Sequence, residues 1–345
     1  MHIVHLMHNS IFTNIFVEFV NRYFNQKEHS FIVMNNNDHG CDPIYADNVY
    51  NMDTIFNPSF SHVTEIIRLS SQIILHSMFV FDYMVLLDGN ESFARKTTWV
   101  IWGGDLYNQE PTIQKKRIVC NLAGVATLTE QDYGVVQAVF GKRIPNCKAI
   151  YPVLSNFSQI DKYKNNTGSR NAVRILVGHS RSDTLNHAKC FERIYHLGGH
   201  NIKIICPLSY GGRIAYAEKV IELGRSLFGD KFQPVTDYMS VERYLQFLST
   251  MHVGIFGQHR QQALGNMYYM LFLGKKIFCH VDTPHYNELT KFGCHLYDLN
   301  TLGEHDINSL THNDHVEANR KAITPILDHS LARLYWARIF SRKVN

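Results

Sequence analysis

Two doubly wound α/β domains, each a parallel sheet covered by helices, are the fold class this sequence predicts. Three observations carry it. Short apolar runs alternate with helix-like segments through both halves of the chain, the pattern of strand–helix–strand crossovers. At 345 residues the chain is longer than one ordinary core organises. The stretch YPVLSNFSQIDKYKNNTGSRNAV, 151–173, has no hydrophobic period and divides two such alternations. The expected division is a first domain over 1–155, a linker over 156–173, a second domain over 174–328, and a C-terminal helix over 329–345 that packs back on the first domain.

The first domain opens on the strand HIVHLM (2–7). A helix over 11–24 follows, with Phe12, Ile15, Phe16, Phe19, Val20 and Phe24 near helical spacing. SFIVMN (30–35) is the next strand, and 61–72 a helix capped by Ser61. IILH (73–76), TTWVIWGGDLY (97–107) and VATLTE (125–130) contain further strands. The second domain runs RILVGHS (174–180), IKIICPLSY (202–210), FQPV (232–235), HVGIF (252–256) and KKIFCH (275–280). Helices are expected over 185–197, 214–228 and 240–250. The last segment, LARLYWARIFSRKV (331–344), carries Arg333, Arg338, Arg342 and Lys343 without an acid. Its Leu331, Leu334, Tyr335, Trp336, Ile339 and Phe340 are too many apolar groups for a solvated helix, so docking is expected, with anionic lipid headgroups a compatible second contact.

Composition sets bounds. An apolar fraction of 45% and a charged fraction of 19% describe a globular chain. No run of about 20 apolar residues offers a membrane span, and the N-terminus reads as a buried strand, not a signal peptide. Seven scattered cysteines without a C-x-x-C pair, and twenty histidines without H-E-x-x-H spacing, favour a reducing compartment and no metal site. A net charge of +4 is too small to imply nucleic acid. Its distribution is uneven: 11 Lys and Arg against 14 Asp and Glu over 1–155, then 23 against 16. The second domain is the place to expect an anionic ligand.

Ligands of doubly wound sheets lie at the carboxyl ends of the strands. In the second domain four loops fall there. LVGHSRSDTLNH puts Gly178, His179 and Ser180 at a strand end and a helix start near Asn186 and His187, where backbone N–H groups and the helix dipole attract an anion. CPLSYGG supplies Ser209 and Tyr210, with glycines that permit close approach. QPVTDYM supplies Asp237, to hydrogen-bond a sugar or base edge, and Tyr238, to stack on a base. GQHRQQALG is the richest: Arg260 grips phosphate oxygens bidentately, Gln261 and Gln262 donate neutrally, and a helix starts from about Ala263. The plainer alternatives are an ordinary capped strand–helix turn for the first two, a helix cap with Tyr238 packed inward for the third, and an exposed loop of incidental polarity for the fourth.

In the first domain, WVIWGGDLY brackets a strand end with Trp99 and Trp102, turns at Gly103 and Gly104, and presents Asp105 beyond, a candidate general base. His8, His76 and Glu130 also fall at or just past strand ends. No D-x-D occurs, so a metal-bridged diphosphate is not indicated; arginine and helix N-termini are the metal-free means of neutralising a leaving diphosphate. The G-x-G-x-x-G, Walker and G-x-S-x-G patterns are absent.

IWGGDLY, ILVGHSRSDTLNH and HRQQALG together resemble the TDP-N-acetylfucosamine:lipid II N-acetylfucosaminyltransferases, glycosyltransferase family 56. The family motifs are I-W-G-[AG]-D-L-Y, I-L-V-G-N-S with a later N-H, and R-Q-Q-x-x-G; their counterparts stand here in order over most of the chain. The resemblance implies a GT-B fold with its two domains facing a cleft, a TDP-activated 4-acetamido-4,6-dideoxygalactose donor, and a polyprenyl-diphosphate-linked or other glycan acceptor. It implies a peripheral place on the cytoplasmic face of the inner membrane, and no cofactor or metal. It puts Gly178, Ser180, Asn186 and His187 near the donor diphosphate, Arg260, Gln261 and Gln262 near diphosphate or sugar, and His76, Trp102, Gly103, Asp105 and Tyr107 on the acceptor side. His179 departs from the family's Asn. On this reading Asp105 is the first choice for the base, followed by Glu130 and His8. A nucleotide-sugar epimerase of the same fold and a non-catalytic glycan- or partner-binding module are the alternatives.

Overall fold

The computed structural model describes residues 1–35, 42–57, 60–107, 110–141, 144–153, 157–166, 171–197, 201–304 and 309–342. They form two compact units, Met1–Leu154 with His329–Asn345, and Ser155–Asp328.

The first unit holds seven parallel strands: β1 Ile3–His8, β2 His29–Met34, β3 Val49–Met52, β4 Gln72–His76, β5 Thr97–Val100, β6 Gly124–Thr127 and β7 Asn146–Lys148. Their order across the sheet is β3-β2-β1-β4-β5-β6-β7. β1 is buried at all six positions. Strands covered on both faces lose the in–out alternation and read as continuous apolar runs, which is why HIVHLM was legible. β1 pairs with β2 from Ile3↔His29 to His8↔Met34 and with β4 from Ile3↔Gln72 to Leu6↔Leu75. The strand order therefore reverses between β1 and β4, a topological switch point whose carboxyl edge carries His8 and His76.

The second unit holds six parallel strands: β8 Val173–Val177, β9 Ile202–Pro207, β10 Phe232–Val235, β11 Val253–Phe256, β12 Lys276–Cys279 and β13 Tyr297–Asp298. The order is β10-β9-β8-β11-β12-β13. Here the switch point lies between β8 and β11, paired Val253↔Ile175 to Ile255↔Val177. Gly178–Ser180 and Gly257–Gln262 leave the sheet side by side at that edge.

Several sequence expectations need correction. Ser61 is the second residue of the helix Phe60–Leu69 and so lies inside it, not at its cap. Strands β3, β7 and β13 escaped the apolar-run criterion, because they are short sheet members with polar residues: VYNM, NCK and YD. The stretch read as a linker contains the helix Phe157–Asp161 and is fastened to the second unit. Lys275 Nζ donates to the Asn166 carbonyl at 2.8 Å, and Arg320 donates to that of Lys164.

The C-terminal helix, Ser330–Phe340, belongs to the first unit and buries Ala332, Trp336, Ile339 and Phe340. Trp336 Nε1 donates to the Ile150 carbonyl at 2.9 Å, and Gln72 Nε2 donates to that of Ile339 at 3.1 Å. Leu334, counted above among the docking residues, stays exposed at 47%. Lys343 lies outside the described residues. Among the described residues no helix is long and apolar enough to cross a membrane.

Candidate active site

The switch point of the six-stranded sheet brings three loops together. Gly178 leaves β8 at φ +66°, and its N–H donates to the Ile255 carbonyl of β11 at 2.9 Å. Beneath it lies His187, first residue of the helix His187–Tyr195 and fully buried. Its Nδ1 shares a hydrogen with the Tyr216 hydroxyl at 3.0 Å, and burial lowers its pKa to about 4. His187 therefore supports the loop from below. Asn186, in the left-handed region at φ 53°, donates Nδ2 to the Gly257 carbonyl at 2.8 Å and ties the first loop to the second. Thr184 Oγ1 makes a second tie, donating to Gln262 Oε1 at 2.8 Å.

His179 is the buried polar centre of this edge. Its Nδ1 lies 2.9 Å from the Tyr210 hydroxyl. Burial first, then the His187 imidazole and the Arg260 guanidinium, holds its pKa at about 3 despite a backbone hydrogen bond that raises it, so the ring is neutral. With the Tyr210 hydroxyl donating to Nδ1, the ring proton resides on Nε2, which is buried without a hydrogen-bond partner. Gln261 is likewise buried, with an unpartnered amide oxygen, and so is Gln258, whose Nε2 donates to the Gln262 carbonyl at 3.1 Å. Unsatisfied buried polar groups are rare in folded proteins, and these three lie together at one strand edge. Arg260 is half-buried beside them. The helix Leu264–Phe272 starts there from Ala263, held at φ 64°. A non-glycine residue in that region costs about 1–3 kcal/mol, a strain typical of ligand-binding loops.

Not every residue singled out in the sequence joins this group. Ser209 is half-buried, while Asp237 and Tyr238 remain exposed beyond β10. Tyr238 is close enough to raise the Tyr210 pKa, though burial is the larger cause. His285 was not foreseen: it is buried, its pKa lowered by burial to about 3, and a backbone hydrogen bond links it to Arg260. At the opposite edge of the sheet a cavity of about 340 Å³ is lined by Lys164, Lys275 and Arg320. Lys275 donates to two backbone carbonyls there, which marks a fastening of the chain.

In the first unit, Asp105 requires a correction. It is not presented beyond the turn but buried, 6% exposed. Its oxygens accept from Trp99 Nε1 at 2.8 Å, Met78 N at 3.1 Å and Trp102 N at 2.9 Å. Burial raises its pKa, the hydrogen bonds opposing. A carboxylate engaged by three N–H groups anchors the turn made by Gly103, φ 92°, and does not reach an outside hydroxyl. Glu130 is exposed in the first turn of the helix Glu130–Phe140. Tyr107 donates to Asp132 of that helix at 2.7 Å. His8 ends β1 at 9% exposure, its ring centroid 5.0 Å from that of Trp102.

His76 joins a chain of groups that sequence reasoning missed. His29 Nδ1 lies 2.9 Å from His5 Nε2, and His5 Nδ1 lies 3.1 Å from His76 Nε2. His76 Nδ1 meets the Tyr151 hydroxyl, which accepts from Trp102 Nε1 at 2.7 Å. Tyr151 opens the stretch without a hydrophobic period, where no local pattern singles it out. Ser77, which follows His76 at φ 72° and 1% exposure, was also missed. The two histidines inside strands, His5 and His29, carried a signal: a titratable residue at a position that the strand pattern buries.

Residues 2–325 match the family model described as 4-alpha-L-fucosyltransferase, glycosyl transferase group 56. Among solved structures, the chain is similar to Anabaena HepE in complex with UDP, with TM-score 0.68, 10% identity, and 99% of this chain and 100% of that one covered. A glycosyltransferase from Rickettsia africae gives TM-score 0.66 at 11% identity over 98% and 97%. WaaG, a glycosyltransferase involved in lipopolysaccharide biosynthesis, gives 0.60 at 8% over 98% of both chains. At these identities the likeness is one of fold, the GT-B glycosyltransferase fold.

Proposed function

The chain belongs to glycosyltransferase group 56, the 4-alpha-L-fucosyltransferases, and from that premise we propose which substrates it joins and which residues act. The donor is a nucleoside-diphosphate sugar, TDP-linked, carrying a 4-acetamido-4,6-dideoxygalactose type of residue. It binds at the carboxyl edge of β8 and β11. The acceptor is a hydroxyl of a lipid-linked or other glycan, taken at the carboxyl edge of β1, β4 and β5.

One observation carries this reading: the unpartnered, buried His179 Nε2 lies with Arg260 at a switch point where two helices begin. That is the donor set a diphosphate needs. The structure of Anabaena HepE with UDP is in keeping with a nucleotide site in this fold.

In the reaction the acceptor oxygen bonds to the anomeric carbon while the bond from that carbon to the diphosphate breaks. The electron pair leaves with the diphosphate. Arg260, the neutral His179 Nε2–H and the helix starts at His187 and Leu264 stabilise that charge without a metal. The acceptor proton goes to His8, the strand-end candidate that remains once Asp105 is engaged as an anchor and Glu130 lies out on a helix surface. The protein works on the cytoplasmic face of the inner membrane as a peripheral enzyme.

Thermal unfolding with TDP, UDP, GDP and CDP, without metal and then with magnesium, tests the donor. A ligand at 100 times its Kd adds about 2.7 kcal/mol, which moves the midpoint by roughly 2–4 °C per kcal/mol. A shift with TDP alone, independent of magnesium, is the expected result. A shift confined to another nucleotide discards the TDP donor, and a shift that needs magnesium discards the metal-free mechanism.

A further inference from the structure

Trp102 is the one end of the histidine chain whose hydrogen-bonding role is fixed by its chemistry. An indole nitrogen only donates, so the Tyr151 oxygen accepts from it. The remaining partner of Tyr151 is His76 Nδ1, which takes the phenolic proton. That leaves the His76 proton on Nε2, donated to His5 Nδ1, and the His5 proton on Nε2, donated to His29 Nδ1. All three imidazoles thus hold one tautomer. Burial keeps each neutral, so no second proton scrambles the order. The chain is packed on every side: His5 stacks on Phe31 at 4.5 Å, and His76 stacks on Trp336 at 5.7 Å.

This rigid chain ends on a residue that is itself only half-buried. The rings around Trp102 meet it at an angle: His8 at 59°, Phe12 at 76° and Tyr151 at 83°. Among the described residues no ring lies parallel to it. Phe12 and Phe79, both exposed, flank the same edge beside His8. An indole fixed by its N–H, with no stacked partner, is a flat apolar platform next to a candidate base.

We propose that Trp102 is the platform on which the C–H face of an acceptor pyranose stacks, and that Tyr151, His76, His5 and His29 are positioning residues that fix its ring plane. The proposal rests on the reading that this edge takes the acceptor. Stacking holds a sugar ring by its apolar face and leaves its hydroxyls outward, so one of them can reach His8. The ligand class is a pyranose with an uninterrupted C–H face.

The test uses the intrinsic fluorescence of the full chain. Trp99 and Trp336 are fully buried, so a change caused by a bound sugar reports Trp102. The probes are octyl N-acetyl-β-glucosaminide and octyl β-galactoside. A saturable emission change with at least one probe is expected, and Trp102→Phe removes it. Tyr151→Phe keeps the ring but breaks the chain, and weakens probe binding about tenfold, near the worth of one aromatic contact. His76→Leu does the same, whereas His76→Asn, which restores a polar group facing Tyr151, recovers most of the affinity. Near-ultraviolet circular dichroism checks that each variant is folded. No emission change with either probe, a change that survives Trp102→Phe, or unaltered affinity in folded Tyr151→Phe overturns the proposal. The nucleotide experiment above fails or succeeds separately: a wild-type chain that binds the probes but no nucleotide keeps the platform and loses the donor reading.

Discussion

A Cβ placed on Gly178 would lie 2.8 Å from Nε2 of His187, closer than packed atoms come. Two constraints therefore coincide at one residue, the left-handed φ of +66° and the imidazole beneath it. Gly178→Ala is expected to destabilise the protein by about 1–3 kcal/mol and to weaken nucleotide binding, because the loop carrying His179 must lift. Urea denaturation with and without TDP checks both. A variant as stable as the wild type would show that the loop yields freely.

On the proposed donor reading, Arg260 and His179 divide the anion between a charge and a neutral donor. Arg260→Ala is expected to weaken nucleotide affinity by about 1.5–3 kcal/mol, the value of a hydrogen bond to a charged group. Arg260→Lys should recover only part of it, since a single ammonium lacks the bidentate fork. Calorimetric titration with TDP measures both. Unchanged affinity in Arg260→Ala removes the residue from the site.

His8 and Asp105 should separate by phenotype. His8→Gln is expected to lower turnover by about 10²–10⁴-fold, the usual contribution of a general base, with nucleotide affinity nearly unchanged. Asp105→Asn instead disturbs the acceptor for three N–H groups and should cost about 1–3 kcal/mol of stability. If Asp105→Asn abolishes turnover at full stability, the anchoring role is mistaken.

Acid should unfold this protein early. Burial holds His29 and His187 at about 4, His179 and His285 at about 3, and His5 and His76 well below the ordinary range. Unfolded, each returns to about 6.5. Between the folded and unfolded values the unfolded chain binds more protons, so stability is complete above about pH 6.5 and drains as pH falls below it. Each histidine contributes up to about 1.4 kcal/mol per pH unit over that window. Asp105 and Asp132, raised by burial, act with the opposite sign but are two against six. Urea midpoints at pH 8, 6.5 and 5 measure the slope; a flat profile down to pH 5 would falsify the buried-neutral assignment.

Much of this molecule was legible before folding. β1 and β2 announced themselves because strands buried on both faces lose the in–out alternation and read as mainly apolar runs, and the loops after β8 and β11 because glycine and polar residues interrupt those runs. Edge members such as β13, only Tyr297–Asp298, were not, since two residues carry no pattern. Asp105 misled for a related reason. An acid after a Trp-Gly-Gly turn has the same sequence whether it points outward or folds back to accept from Trp99, six positions away.

The fold class of two parallel α/β units, the family motifs and the loops that reach the strand ends are all written locally in the chain. These follow from periodicity and from short local stretches, which any chain displays along its length. The tertiary structure alone decided that His29, His5, His76, Tyr151 and Trp102 make one hydrogen-bonded chain, and that Asp105 is an anchor. Those facts depend on parallel pairing. Its register sets β1 against both β2 and β4, and so brings together side chains 24 and 71 residues apart that no local pattern relates.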